Sequence, residues 1–316
     1  MMKQPLTRIS FGLLFLVILT CIANLSHSAT PTPGKQVAQT IKLPTNIDVL
    51  LHPTKEELDA ETKRLNALPR EQRDAEIKER QRLQFEEMRN PKPLSETETQ
   101  MLGYWLFLPN DYTAGTEKTY PLLLFLHGLG ESGSDINKVK VHGPPKLLDN
   151  PTLANDWQFI TVSPQCPENV RWSPFQLKLL LDELEKQYAI DKNRIYVTGL
   201  SLGGYGTWGL LYQFPERFAA GVPICGGFDH SAAERFVDIP LWVFHGGKDP
   251  SVSMSTNMVK AIQTAGGKRV ELTIYPDLGH DVWTITYDNP ELYQWLSKQS
   301  LGNRANGAKN ASLAGE

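Results

Sequence analysis

The chain has 316 residues, with 32 basic against 35 acidic side chains and a net charge of −3. That near balance removes any bulk electrostatic reason to hold nucleic acid or an anionic membrane surface. Hydrophobic residues at 41% and charged residues at 21% exclude a wholly disordered or collagen-like chain and leave length for one large domain or two small ones.

Residues 1–28 read as a secretory signal peptide. Lys3 and Arg8 precede a charge-free apolar run over 11–23, no acid appears before Asp48, and Ser26 and Ser28 stand just before Ala29, where cleavage is expected. The run is too short to span a bilayer, which takes about 20 residues. An uncleaved anchor and lipidation at Cys21 are ranked below cleavage, the latter because Thr20 is bulkier than the small residue that usually precedes a lipidated cysteine. Export to a periplasmic or extracellular setting follows, with no integral membrane association after cleavage. Only Cys166 and Cys225 then remain, in a compartment where disulfides persist. No Cys-x-x-Cys spacing or His/Cys cluster signals zinc, and no metal or cofactor is expected.

Residues 29–53, with Pro31, Pro33, Gly34, Pro44 and Pro53, read as a linker. Residues 54–99 read as a charged helical extension: between 55 and 98 there are ten basic and twelve acidic residues, Thr54 and Glu57 make a capping box, and Pro69 opens a second helix. Ile77, Leu83, Phe85 and Met88 give that helix a thin apolar stripe, suiting either a solvated extension resting on the main domain or, ranked lower, a docking arm. From 100 to 300 short β-branched or leucine-rich runs alternate with amphipathic ones, which predicts strands joined by helices over a parallel sheet. Strands are expected over 104–108, 122–126, 159–163, 195–198, 221–224, 241–244 and 270–275, and helices over 175–188, 203–214, 255–265 and 291–298. Residues 301–316 read as a flexible tail.

Gly199-Leu-Ser-Leu-Gly203 is G-x-S-x-G, placed directly after one predicted strand and opening a helix. A serine on such a turn projects its hydroxyl above the sheet, and the flanking glycines let strand and helix backbones pass closely. With Tyr120-Pro-Leu-Leu-Leu-Phe-Leu-His-Gly128, Ser163-Pro-Gln-Cys-Pro167 followed by Trp172, the run from Asn193 through Gly204, and Gly279-His-Asp-Val-Trp283, the chain from about 100 to 300 resembles the α/β-hydrolase superfamily. Within it the resemblance is to the phospholipase/carboxylesterase and poly(3-hydroxybutyrate) depolymerase-like esterases, some of whose relatives are labelled predicted peptidases. It implies a mostly parallel central sheet with helices on both faces, and no cofactor.

The fold order implied by that resemblance, serine then acid then histidine, narrows the triad. His27 belongs to the signal segment, while His52, His127 and His142 precede Ser201. The run over 241–244 leads into His245-Gly-Gly-Lys-Asp249, which offers Asp249 as the acid, and after it only His280 remains. Asp277, three residues before His280, is the competing acid and reads better as a turn former after Pro276. Oxyanion donors are expected at the backbone N–H of Leu202, after the nucleophile, and of Leu129, in the loop His127-Gly-Leu-Gly130. Gln165, Cys166 and Trp172 follow a strand at the edge where such sheets bind ligands, so Gln165 and Trp172, with Trp283, are candidate substrate contacts. The implied strand order sets Cys166 and Cys225 roughly 14 Å apart, three strand spacings, too far for a disulfide.

The expected function is that of a secreted serine esterase acting through an acyl-serine intermediate, with a peptidase or a non-catalytic binding module as alternatives. No large cap domain is expected, because only about 15 residues separate Cys225 from Leu241, which points to short-chain, aromatic-acyl or polymer-linked esters.

Overall fold

A computed structural model describes residues 30–45, 55–95 and 97–304. The signal segment, Thr54 of the capping box and most of the tail lie outside the described residues. Eight strands form one sheet in the order β1-β2-β4-β3-β5-β6-β7-β8. They are β1 (Gln36–Pro44), β2 (Thr99–Phe107), β3 (Tyr120–Leu126), β4 (Ile160–Pro164), β5 (Ile190–Leu200), β6 (Ala220–Ile224), β7 (Leu241–Gly246) and β8 (Val270–Tyr275). β1 and β2 are antiparallel to their neighbours, and β4 through β8 run parallel.

Alternation along the strands splits the core in two. Leu122, Leu124, Leu126, Ile195, Val197, Leu241 and Val243 face one side. There they meet α5 (Pro174–Gln187), α6 (Leu202–Gln213) and α7 (Val252–Thr264) through Leu180, Leu210 and Met258. Leu123, Phe125, Tyr196 and Phe244 face the other, under α8 (Trp283–Tyr287) and α9 (Pro290–Ser297) through Tyr287 and Leu296. Because both faces are covered, the central strands are continuously apolar, as β3 is from end to end. The two short helices α3 (Gly143–Leu147) and α4 (Pro151–Asn155), inside the long connection from β3 to β4, were not foreseen. Each has proline in its first turn and is only five residues long, below what periodicity can reveal.

Expecting a linker over 29–53 fails for its middle. Residues 36–44 are an edge strand paired with β2 along its whole length. Gln39, Ile41 and Leu43 point inward and are buried, while Pro31 and Pro33 sit before the strand and Pro44 at its last position, where an edge strand tolerates a missing N–H. The proline-rich composition outweighed a three-residue alternation.

The extension forms α1 (Lys55–Asn66) and α2 (Arg70–Arg89). Arg64 bridges Glu61 and Glu76, tying the two helices together. The C-terminal end of α2 rests on the body: Met88 packs on the core, Gln213 Nε2 donates to the carbonyls of Arg89 (2.8 Å) and Met88 (3.2 Å), and Arg89 pairs with Asp229 at 3.0 Å. Among the described residues no helix is long and apolar enough to cross a membrane.

If β1 is an integral strand, Ile41→Ala leaves a cavity at a position with no solvent exposure and lowers unfolding free energy by about 2–4 kcal/mol. Urea denaturation of parent and variant measures it; a change below about 0.5 kcal/mol would return this stretch to a linker.

Candidate active site

The C-terminal edge of the parallel strands carries the site. β5 ends at Leu200 and α6 starts at Leu202, so Ser201 must turn the chain within one residue, and it does so at φ 51°, ψ −113°. Such a conformation is strained for a residue with a Cβ. It is held by Ser201 N–H donating to Ile224 O at 2.9 Å and by Tyr205 N–H donating to Ser201 O at 3.1 Å. The flanking glycines are obligatory: a Cβ on Gly203 would lie 1.9 Å from Leu126 O, and one on Gly199 would lie 2.3 Å from Gly203 O.

The Ser201 hydroxyl makes no cap bond to its own helix and lies 2.9 Å from His280 Nε2. His280 Nδ1 lies 2.5 Å from Asp249 Oδ2. A carboxylate only accepts, so Nδ1 carries the proton and Nε2 is left as the acceptor for the serine hydroxyl. The His280 side chain is 47% exposed whereas Asp249 is 4% exposed. Burial opposes ionisation of Asp249. Donors from His280 Nδ1 and from the amide and hydroxyl of Ser251 (2.8 Å each) outweigh it and bring the carboxyl down to about 2. Asp277 instead pairs with Lys248 on the surface and stays out of this line.

Leu202 and Leu129 are each the first residue of a helical turn, α6 and the 3₁₀ turn Leu129–Glu131. Amides at that position have no acceptor within their own helix and are free to face a ligand. The loop bearing Leu129 is held from several directions. Glu131 Oε2 accepts from Gly128 N–H at 2.9 Å, and Gln165 Nε2 donates to Glu131 O (2.9 Å) and Asp135 O (2.7 Å). Trp172 Nε1 donates to His127 O at 3.2 Å. Cys166 N–H donates to His127 Nε2 at 2.9 Å, which leaves Nδ1–H of that ring to reach Gly128 O at 2.6 Å.

This corrects two expected substrate contacts. Gln165 and Trp172, 5% and 7% exposed, spend their side-chain N–H donors on the loop's own backbone and shape it from behind. Trp283 packs against His280, the two rings at 87° with centroids 5.3 Å apart, and against His142 at 5.7 Å. Sequence reasoning passed over Glu131, three residues after Gly128 in a capping-box spacing, and Ser251, two after Asp249 in an Asx-turn spacing. It set aside His245, in the acid's own pentapeptide, because that residue precedes Asp249. His245 Nε2 lies 3.1 Å from Asp249 Oδ2, and its Nδ1 lies 2.7 Å from Ser255 Oγ. Cys166 and Cys225 are both free and buried, separated by β3 and β5 in the sheet.

Cys225, His245 and Asp249 are near enough to share an ion, yet their polar atoms are engaged. Cys225 Sγ donates to His280 O at 3.0 Å, and burial pushes that thiol up to about 12, away from the thiolate that binds metals. The segment from Cys225 to Leu241 carries only the 3₁₀ turn His230–Phe236, so no helical cap stands over Ser201 there.

Burial holds His127 neutral, bringing its pKa down to about 4, and lowers His245 in the same direction. A folded-state pKa below the unfolded value gives stability that is complete above about pH 6.5 and is lost as pH falls from there toward 4. For His127 alone the loss is on the order of 3 kcal/mol. The urea midpoint should therefore drop between pH 7.5 and 4.5, and drop less in His127→Asn, whose amide can still serve Gly128 O. Equal drops in the two proteins would remove His127 as the cause.

The model of the prolyl oligopeptidase family matches residues 176–242. Among curated proteins, the chain is 27% identical over 140 residues to the bifunctional acetylxylan esterase/xylanase XynS20E of Neocallimastix patriciarum, covering 41% of this chain and 19% of the relative. It is 39% identical over 51 residues to the poly(3-hydroxyalkanoate) depolymerase C of Paucimonas lemoignei, covering 16% and 12%. The chain thus spans less than a fifth of either relative. A solved thermostable esterase superposes with a TM-score of 0.57 at 38% identity, over 65% of this chain and 61% of that one. With this strand order, a sharp strand-to-helix turn at Ser201 and strand-end loops of this kind, and with similarity to a solved esterase, the chain has the α/β-hydrolase fold.

Proposed function

We propose that the chain is an exported serine carboxylic-ester hydrolase. What carries this is the continuous line from Ser201 Oγ to His280 Nε2 (2.9 Å) and from His280 Nδ1 to Asp249 Oδ2 (2.5 Å). His280 Nε2 takes the hydroxyl proton as Ser201 Oγ bonds to the ester carbonyl carbon, and Asp249 keeps the ring oriented and balances the imidazolium. The carbonyl oxygen gains the negative charge, which the N–H groups of Leu129 and Leu202 receive, preorganised so that little reorganisation is needed during the reaction. The C–O bond then breaks, with the proton on His280 passing to the leaving alcohol. Water repeats the sequence on the acyl-serine, yielding the acid and free Ser201.

Ester substrates are favoured by the similarity to the thermostable esterase. The names of the two curated relatives, an acetylxylan esterase/xylanase and a polyhydroxyalkanoate depolymerase, support esters attached to polymers. So does the uncapped serine, which bulky chains can approach. Export rests on the basic and apolar segment at residues 3–28. The match to the prolyl oligopeptidase family model favours peptide cleavage as the second reading.

The test is kinetic, with circular dichroism to check folding. Ser201→Ala should lower hydrolysis of a p-nitrophenyl ester by a factor on the order of 10⁶ or to background, with His280→Ala close behind. Asp249→Asn should cost on the order of 10⁴. Activity of Ser201→Ala within tenfold of the parent would remove it as nucleophile, and a greater loss in Asp277→Asn than in Asp249→Asn would move the acid. An ester and an amide of one acyl group, assayed side by side, separate esterase from peptidase.

A further inference from the structure

Asp249 Oδ2 is not dedicated to His280. A second imidazole, His245, reaches the same oxygen from inside the protein, at 3.1 Å against 2.5 Å for His280, and has no solvent exposure. His245 sits near the end of β7 with its other nitrogen 2.7 Å from Ser255 Oγ in α7, and Ser255 is equally buried. From these contacts we infer that His245 is a positioning residue that donates Nε2–H to Asp249 Oδ2, shares the carboxylate's charge with His280, and thereby sets the acidic limit of activity. The inference rests on the Ser201–His280–Asp249 assignment proposed above.

Proton counting fixes the direction of the bond. The carboxylate, ionised well below neutral pH, can only accept, so Nε2 of His245 must carry a hydrogen. Burial disfavours a charged ring, which leaves Nδ1 bare. The Ser255 hydroxyl then serves Nδ1 and forgoes Gly226 O, its other neighbour at 3.0 Å. Asp249 Oδ1 is held by the amide and hydroxyl of Ser251; the hydroxyl also lies 3.3 Å from His245 Nε2 but the amide does not depend on it, so removing His245 need not release the carboxylate. What changes is charge. With one imidazole donor instead of two, Oδ2 offers more negative charge to His280 Nδ1, the imidazolium is favoured, and the base is neutralised by protons at a higher pH.

The groups around His280 leave few competitors for this effect. Asp249 and His245 face it from the end of β7, and Cys225 from the end of β6. Tyr205 stands on α6 near Asp249, and Asp281 and the Lys248–Asp277 pair lie on the solvent side. His142 packs on Trp283, their ring centroids 5.7 Å apart. Burial pushes both Cys225 and Tyr205 up to about 12, so neither titrates in the range of the assay.

The experiment compares His245→Met and His245→Gln, near-isosteric changes that differ in the donor, by measuring kcat/KM for a p-nitrophenyl ester from pH 4.5 to 9. The acidic limb of His245→Met should move to higher pH by about half a unit or more, so that activity at pH 5 falls by about threefold or more relative to its own plateau. KM should stay near the parent value, and His245→Gln should keep the parent limb. An unmoved limb in His245→Met would overturn the inference. So would a limb moved to lower pH, the result of a merely slackened carboxylate, or the same shift in both variants.

Should the variants not fold, nitrogen-15 NMR of the histidine-labelled parent with through-bond assignment reads the tautomer directly. A hydrogen on Nε2 of His245 supports the inference, and one on Nδ1 alone overturns it. Labelling of parent Ser201 by a fluorophosphonate separates the two layers: no labelling sinks the nucleophile assignment, whereas labelling with an unmoved limb sinks only the role of His245.

Discussion

The placement of Ser201 follows from one steric constraint, the passage of the first turn of α6 across the end of β3. Gly203 lies so close to Leu126 O that a methyl group would sit 1.9 Å from it. Helix and strand can approach this closely only if the residue joining β5 to α6 turns sharply, and Ser201 takes φ 51° to do so. Strain of this kind costs on the order of 1–3 kcal/mol and persists only where the surroundings over-determine it. Here they do, because the serine amide is bonded to β6 and its carbonyl to the helix it starts. The same geometry leaves the hydroxyl without a helix-capping role, free to meet His280.

The loop His127-Gly-Leu-Gly130 is built on a different principle, satisfaction of buried polar groups. His127, Gln165 and Trp172 are among the least exposed polar side chains near the site, and a buried donor or acceptor left unpaired costs about 1–3 kcal/mol. Each is therefore spent on backbone: Trp172 on His127 O, Gln165 on the carbonyls of Glu131 and Asp135, His127 on Gly128 O and the amide of Cys166. Neutral His127 suits this task, since one nitrogen must donate and the other accept. Displacing any of the three unpairs several groups at once, which holds the amide of Leu129 in place without help from a substrate.

The sequence was most legible where geometry demands a particular residue type. G-x-S-x-G after a strand, an aspartate at a strand end and a histidine in the last loop each reflect a requirement that few other side chains meet, and the three groups lie within hydrogen-bonding reach of one another. The central strands were legible because burial on both faces makes them uniformly apolar. Less was visible where composition and pattern disagree. β1 hides three inward residues between prolines, and Gln165 and Trp172 stand at a ligand-binding edge yet point into the protein. No one-dimensional signal tells a side chain that faces substrate from one that faces the loop behind it. His245 was masked in another way: an order argument that needs one histidine after the acid discards the one before it, although the turn His245-Gly-Gly-Lys-Asp249 folds the two together.

With no helical cap between Cys225 and Leu241, the site draws rigidity from below, and the hydrogen bonds that join the strand-end loops show how. Gly133 N–H donates to Cys166 O, linking the loop after β3 to the one after β4. Ser201 N–H donates to Ile224 O, joining β5 to β6, and Cys225 N–H donates to Phe244 O, joining β6 to β7. Gly247 N–H and Lys248 N–H donate to Tyr275 O and Leu278 O, joining the acid's turn to the histidine loop. Three of these bonds, Ser201–Ile224, Cys225–Phe244 and Gly247–Tyr275, extend the ladder of a parallel pair by one residue past the formal strand end. The loops that carry Ser201, Asp249 and His280 are thus continuations of the sheet's own hydrogen bonding, and separating any two of the three groups means breaking backbone bonds of the core. That coupling ties a half-exposed histidine to the sheet beneath it through backbone hydrogen bonds.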